Sequence, residues 1–209
     1  EALRGADAVI HLAWLIQPNS HRDRLRRVNV EGTAHVGRAA AKAGVGTLVV
    51  ASSVGAYSPS PGREVRDESW PTGGVRTSHY SVDKVAQEQV LDEIERMHPA
   101  MTLTRLRPAL IFQGDAGSEI QRYFLGRWMP VQLLRAGRPP LIPLPRGLRI
   151  QAVHARDVAE AYAAAAVAEV PGSFNICADD VLDVQDLAVP ATGERVSFDV
   201  RAGEIVGVA

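Results

Sequence analysis

The chain holds two lysines and four tyrosines, and one of each stands in the spacing Tyr80-Ser-Val-Asp-Lys84. With those counts a Tyr-x-x-x-Lys pair arises by accident in roughly one such chain in twenty-five, so the pair alone is only suggestive. On a helix, positions i and i+4 share a face, which sets the phenol beside the ammonium. A free tyrosine, with a pKa of about 10, is a poor base at neutral pH. A neighbouring ammonium favours the phenolate, so Lys84 is expected to bring Tyr80 nearer the working range. A third group stands upstream: Ser53, at the end of the run Leu48-Val-Val-Ala-Ser-Ser-Val-Gly-Ala-Tyr57. Together the three make a proton-transfer set suited to interconverting an alcohol and a ketone. Side chains alternate along a strand, so only one of Ser52 and Ser53 can face a substrate. Ser53 is read as that residue and Ser52 as the structural one.

The elements that must position these groups alternate between short apolar runs and longer amphipathic ones. Asp7-Ala-Val-Ile-His-Leu-Ala13 is apolar on both faces, as a strand of a covered parallel sheet should be. Arg27 to Ala43 has helical spacing, with Gly44 as its stop. Thr47 to Ala51 reads as a second strand, and 58–77 as a loop rich in proline and glycine. His79 to Met97 is a long helix, Met101 to Arg107 a strand ended by Pro108, and 114–149 irregular apart from a short helix at Ile120 to Leu125. Asp157 to Ala168 is an alanine-rich helix and Ser173 to Cys177 a last strand. Such alternation predicts an α/β fold, a doubly wound parallel sheet of βαβ units.

The bulk properties exclude several classes. At 209 residues the chain is long enough for one substantial core, and 46% hydrophobic with 22% charged residues is ordinary globular composition. A formal net charge of −1 gives no reason to expect nucleic acid or an anionic membrane as partner. No 18-residue apolar run could span a bilayer, and no signal peptide is expected. The lone Cys177, in an apolar segment, reads as a buried core residue in a reducing cytoplasm. His11, His21, His35, His79, His98 and His154 lack metal-ligand spacing, so no metal is expected.

As a set, these residues resemble the extended short-chain dehydrogenase/reductases, the NAD-dependent epimerase/dehydratase family. His11-Leu-Ala13 is similar to the family's fourth strand, and Val28-Asn-Val-Glu-Gly-Thr33 to the signature opening its next helix. Ala51-Ser-Ser-Val-Gly-Ala-Tyr57 resembles the serine strand, Tyr80 to Lys84 the tyrosine–lysine pair, Leu106-Arg-Pro108 the strand against which nicotinamide packs, and Val153-His-Ala-Arg-Asp-Val-Ala159 a later helix start. The resemblance implies a Rossmann-like NAD(P)-binding fold and NAD or NADP as cofactor. Ser53, Tyr80 and Lys84 become the catalytic residues, with Lys84 also holding the nicotinamide ribose. Leu12, Ala13, Trp14, Asn29, Ala51, Ser52, Pro108 and Ala109 join Tyr80 and Lys84 as cofactor contacts. Read alone, Trp14 could equally be core and Asn29 a helix cap. A small alcohol or ketone, sugar-derived in many relatives, is the implied substrate, and the helix from His79 the implied homodimer contact.

The implied division is a dinucleotide-binding portion at 1–113 and 150–180, with a small substrate-binding portion and tail at 114–149 and 181–209. Three departures qualify it. Sugar-nucleotide members carry Asn two residues after the position of Pro108, where this chain has Leu110. None of the eighteen glycines forms G-x-G-x-x-G, so the phosphate-binding half is expected to precede the strand at 7–13. Val181 to Leu187 and Val196 to Ala209 resemble the first strands of an ABC-transporter ATPase. Two further readings stay open beside the enzyme: a non-catalytic dinucleotide-binding regulator, and an inactive piece of the enzyme. Arg149 and Gln151 stand one residue off the family's basic position, where surface placement is the simpler reading.

Overall fold

A computed structural model describes residues 1–17, 20–61, 64–113, 149–179 and 181–183. Among them run β1 (Ala8–His11), α1 (Arg22–Arg26), a π-helical turn (Arg27–Glu31), α2 (Gly32–Ala43) and β2 (Thr47–Ala51). A 3-10 turn (Val54–Ala56), α3 (His79–Met97), β3 (Thr102–Pro108), β4 (Leu110–Phe112) and β5 (Arg149–His154) follow, then α4 (Ala155–Ala168), β6 (Gly172–Ile176) and β7 (Val181–Asp183). Residues 1–109 and 158–176 belong to one compact unit, and the described residues of 110–157 and 177–183 to a second. The expected helix at 120–125, the loop at 114–148 and the tail at 184–209 lie outside the described residues.

The first unit carries the parallel sheet expected of the fold, in the order β1-β2-β3-β6. Its second strand, Thr-Leu-Val-Val-Ala, has no polar face to leave wet, and the structure buries Thr47 to Val50 almost completely. Leu48 and Val50 join Ala40, Val45, Leu91, Ile94, Met101 and Leu103 in one core cluster. Full burial of each such large side chain is worth ~1.5–3 kcal/mol. Gly44 ends α2 in the left-handed region at φ 77°, where its N–H returns to the carbonyl of Ala40. That is the stop its sequence position predicts.

The helix expected from Arg27 begins at Arg22 and passes through the π-helical turn into α2. Its first turn, Arg-Asp-Arg-Leu-Arg, buries one apolar residue, Leu25, so hydrophobic spacing alone gives it no signal. Strand β1 stops at His11, and Leu12 and Ala13 are exposed beyond it. β3 runs through Pro108 instead of ending before it. The proline nitrogen faces the β2 side, where β2 has already ended at Ala51 opposite Leu106, so no ladder bond is lost, and Ala109 N–H donates to Ile176 O at 2.9 Å. α4 starts two residues before Asp157, and β6 one before Ser173.

In the second unit, β4 pairs parallel with β5, and β5 antiparallel with β7. Two of these strands are only three residues long, too short for a period to register. Cys177 is buried there, with the Gln151 amide 3.6 Å from its sulfur.

Candidate active site

Parallel strands deliver their C-terminal ends to one edge of a sheet. Here the register sets His11 beside Val50 and Ala51 beside Leu106, so residues 12–14, 52–53 and 109 emerge along that edge. α3 arrives with its N-terminus at the serine turn. Ser78 caps it by accepting from Ser81 N–H at 3.3 Å. The Ser81 hydroxyl then donates to Gly55 O at 2.6 Å and accepts from Val75 N–H at 2.7 Å. Tyr80, one residue before Ser81, thereby meets Ser53, and Lys84, one turn further on, reaches Ala51 O.

Lys84 is 2% exposed. Its ammonium donates to Ala51 O at 2.8 Å and to Gln87 Oε1 at 3.0 Å, and stands 3.5 Å from the centre of the Trp14 ring. Burial holds its pKa down to about 7, although the Glu88 charge pulls upward. Trp14, half-buried, meets the Tyr80 ring edge-on with centres 5.8 Å apart. The indole thus lines the site instead of filling the core.

Tyr80 departs from expectation. The residue is 39% exposed, yet desolvation of its hydroxyl raises its pKa, and a hydrogen bond with Ser53 opposes the rise. The anticipated lowering by Lys84 does not govern it: the ammonium is 5.9 Å from the Tyr80 ring, is committed to two oxygens, and is itself readily neutralised. Close approach depends on Gly55, where a Cβ would lie 2.9 Å from Tyr80 Cε1 and 3.3 Å from Ser53 Oγ. The two serines divide as alternation predicts. Ser53 Oγ accepts from Gly55 N–H at 3.0 Å on the Tyr80 side, and Ser52 Oγ donates to Glu88 Oε1 at 2.5 Å.

Asn29 is 1% exposed and does not cap a helix. Its Oδ1 accepts from Leu15 N–H at 2.7 Å and its Nδ2 donates to Leu15 O at 2.8 Å, fastening the loop that carries Leu12, Ala13 and Trp14. The π-helical turn places it there. The Thr33 hydroxyl donates to Asn29 O at 2.7 Å, and therefore accepts from Gln87 Nε2 and from His11 Nε2, each at 3.1 Å. Burial, then the charge of Lys84, lowers the His11 pKa. Pro108 and Ala109 are buried at the end of β3, and the Ala109 N–H is taken by Ile176.

A cleft of about 290 Å³ opens beside Trp14 and Tyr80, walled further by Leu15, Ile16, Arg22 and Asp83. Arg22 donates to Asp83 Oδ1 at 3.0 Å. Arg22, Gln87 and Glu88 carried no weight in the sequence reading, and Arg107 counted only within Leu-Arg-Pro. Gln87 and Glu88 lie three and four residues beyond Lys84, so helical spacing could have placed them on its face. Among the described residues no three His, Cys, Asp or Glu side chains gather as a metal site.

A profile of the NAD dependent epimerase/dehydratase family matches residues 1–177. The chain belongs to that family. Solved structures agree on the fold. UDP-N-acetylglucosamine 4-epimerase from Bacillus cereus superposes with a TM-score of 0.70 at 22% identity, over 89% of this chain and 61% of that one. A short-chain dehydrogenase/reductase superfamily protein from Agrobacterium tumefaciens, with bound NAD, gives 0.69 at 26% identity, over 89% and 64%. DesIV, the dTDP-glucose 4,6-dehydratase of Streptomyces venezuelae, gives 0.71 at 23%, over 89% and 56%. The chain thus spans roughly three fifths of the length of these epimerase/dehydratase-class structures. No curated protein sequence matches it. The family match ends at residue 177 and so does not bear on the ABC-ATPase resemblance of Val181 to Leu187 and Val196 to Ala209.

Proposed function

We propose that this chain supplies the proton-transfer half of an NAD-dependent epimerase/dehydratase-type oxidoreductase acting on a secondary alcohol or ketone. The observation that carries the reading is the convergence of Ser53, Tyr80 and Lys84 at the C-terminal edge of a parallel sheet, beside a cleft. Ligands of open α/β sheets bind at that edge.

The donor set fits the nicotinamide end of such a cofactor. The Lys84 ammonium, bonded to Ala51 O and Gln87 Oε1 and covered by the Trp14 ring, would have its third N–H for a ribose hydroxyl once that ring shifts. Trp14 would then offer a flat aromatic face, and Ala51, Pro108 and Ala109 a close backbone. When bound, the cofactor supplies the hydride chemistry. The remaining work is done by side chains. Lys84 would hold the ribose, and its bonds to Ala51 O and Gln87 Oε1 fix α3 beside the serine strand. Ser53 hydrogen-bonds the substrate oxygen and aims it at Tyr80. Tyr80, which desolvation keeps protonated, gives its proton to the substrate oxygen during reduction and regains it during oxidation. NAD is favoured over NADP because the relative at 26% identity was solved with NAD. A small sugar-derived substrate is favoured by the epimerase and dehydratase neighbours. Leu110 in place of Asn argues that a diphosphate, if present, is held differently.

Tyr80→Phe tests the assignment. General acid–base catalysis contributes ~10²–10⁴-fold, so kcat should fall by that order while NADH affinity, followed by its fluorescence, is kept. Unchanged turnover would sink the mechanism.

A further inference from the structure

We infer that the buried Glu88–Arg107 ion pair is a positioning device for the serine turn, holding it at both ends so that the Ser53 hydroxyl stays against Tyr80. The turn's own hydrogen bonds are local: Gly55 N–H to Ser53 Oγ, Ala56 N–H to Ser53 O, and Tyr57 N–H to Val54 O. They set its shape and leave its placement relative to α3 to other contacts.

One of them is the Ser81 hydroxyl of α3, which donates to Gly55 O at 2.6 Å; the others converge on one pair. Arg107 of β3 grips Glu88 of α3 with two parallel hydrogen bonds, Nε to Oε1 at 2.9 Å and Nη2 to Oε2 at 3.0 Å. At one end of the turn, Ser52 Oγ donates to Glu88 Oε1 at 2.5 Å. At the other, Arg107 Nη1 donates to Tyr57 Oη at 2.9 Å, and Tyr57 donates on to Asn175 Oδ1 at 2.8 Å. Ser53 therefore hangs between two residues fastened to the same carboxylate–guanidinium unit. Both charged side chains are about 95% buried, at 4% and 6% exposure, and both stand on rigid elements.

Stability alone is a weak account of this arrangement. Withdrawing two charges from water largely offsets their attraction, so a buried pair does little that well-packed apolar side chains could not. What apolar side chains could not do is spare a lone pair for Ser52 and an N–H for Tyr57. Functional groups keep productive geometry when their supports are locked in this way.

The catalytic meaning rests on the proposed roles of Ser53 and Tyr80; the geometric claim does not. Removing Glu88 or Arg107 strands a buried charge and endangers the fold, so the test acts on the two ends. The full chain is labelled with [13Cζ]tyrosine and studied without ligand, its four tyrosines giving four signals. Tyr80→Phe assigns the Tyr80 signal, and Ser53→Ala gives the shift caused by losing the Ser53 contact. Ser52→Ala and Tyr57→Phe should each move the Tyr80 signal in that same direction, and neither should move it further in a Ser53→Ala background. In active enzyme each should lower kcat by about tenfold, Tyr57→Phe with NADH affinity kept. A Tyr80 signal unmoved by both end variants, though moved by Ser53→Ala, would overturn the inference. So would shifts of equal size with and without Ser53. If Ser53→Ala itself leaves Tyr80 unmoved, the Ser53–Tyr80 contact fails, and the proposed function loses its support along with the inference.

Discussion

Lys84→Met isolates the consequence of burying a lysine at 2% exposure. Burial holds the Lys84 pKa to about 7, against an ordinary 10.5. At ~1.36 kcal/mol per pH unit, that gap equals about 5 kcal/mol. The sign follows from proton counts. Between about pH 7 and pH 10 the unfolded chain keeps the Lys84 proton and the folded chain releases it. Stability rises with pH wherever the unfolded state binds more protons. Below about pH 7 both states are protonated and the full penalty stands; it fades towards pH 10. Between about pH 7 and pH 9 the relief comes to ~2 kcal/mol. Methionine keeps the apolar stem and has no proton to lose. Its cost, leaving Ala51 O and Gln87 Oε1 without their donor, is ~1–3 kcal/mol for each acceptor. That cost does not depend on pH, so it cancels in the comparison. The assay is urea denaturation of both proteins at about pH 7 and pH 9, read by the fluorescence of the three tryptophans. The stability of the parent relative to the variant should climb by ~2 kcal/mol across that interval. A difference that stays level to within about 0.5 kcal/mol would show that Lys84 titrates like a solvated lysine, and would refute the reasoning.

Gly55→Ala places a methyl 2.9 Å from Tyr80 Cε1, so the ring must retreat from Ser53. Overpacking of this kind costs ~1–3 kcal/mol, and kcat should fall more steeply than stability; a variant with full turnover would contradict the tight Tyr80 contact. Asn29→Ala strips Leu15 of both backbone partners. Stability should drop by ~1–3 kcal/mol, with faster amide exchange at Leu15 than at the core strand β2, and unchanged exchange at Leu15 would dissociate Asn29 from the loop.

Local rules made much of the site readable in the sequence. The i, i+4 spacing put Tyr80 and Lys84 on one helix face, and strand alternation separated Ser52 from Ser53. An unbroken apolar run gave β2 at its observed bounds, and α3 matched its expected bounds too. Gly44 marked the end of α2 because the left-handed conformation that closes the helix there suits a residue without a Cβ. These signals are carried by residues a few positions apart. The rest depends on residues far apart in the chain. Lys84 owes its lowered pKa to burial among Ala51, Gln87 and Trp14, and no spacing rule reports how deeply a side chain will be covered. Tyr80 looked as if its lysine neighbour would set its proton affinity, yet desolvation of its hydroxyl prevails although the residue is partly exposed, because desolvation depends on everything packed around the group. Asn29 reads as a cap until the π-helical turn brings its amide to Leu15, fourteen residues earlier. The Glu88–Arg107 pair is invisible for the same reason: its halves lie on a helix and a strand that only the assembled sheet brings together.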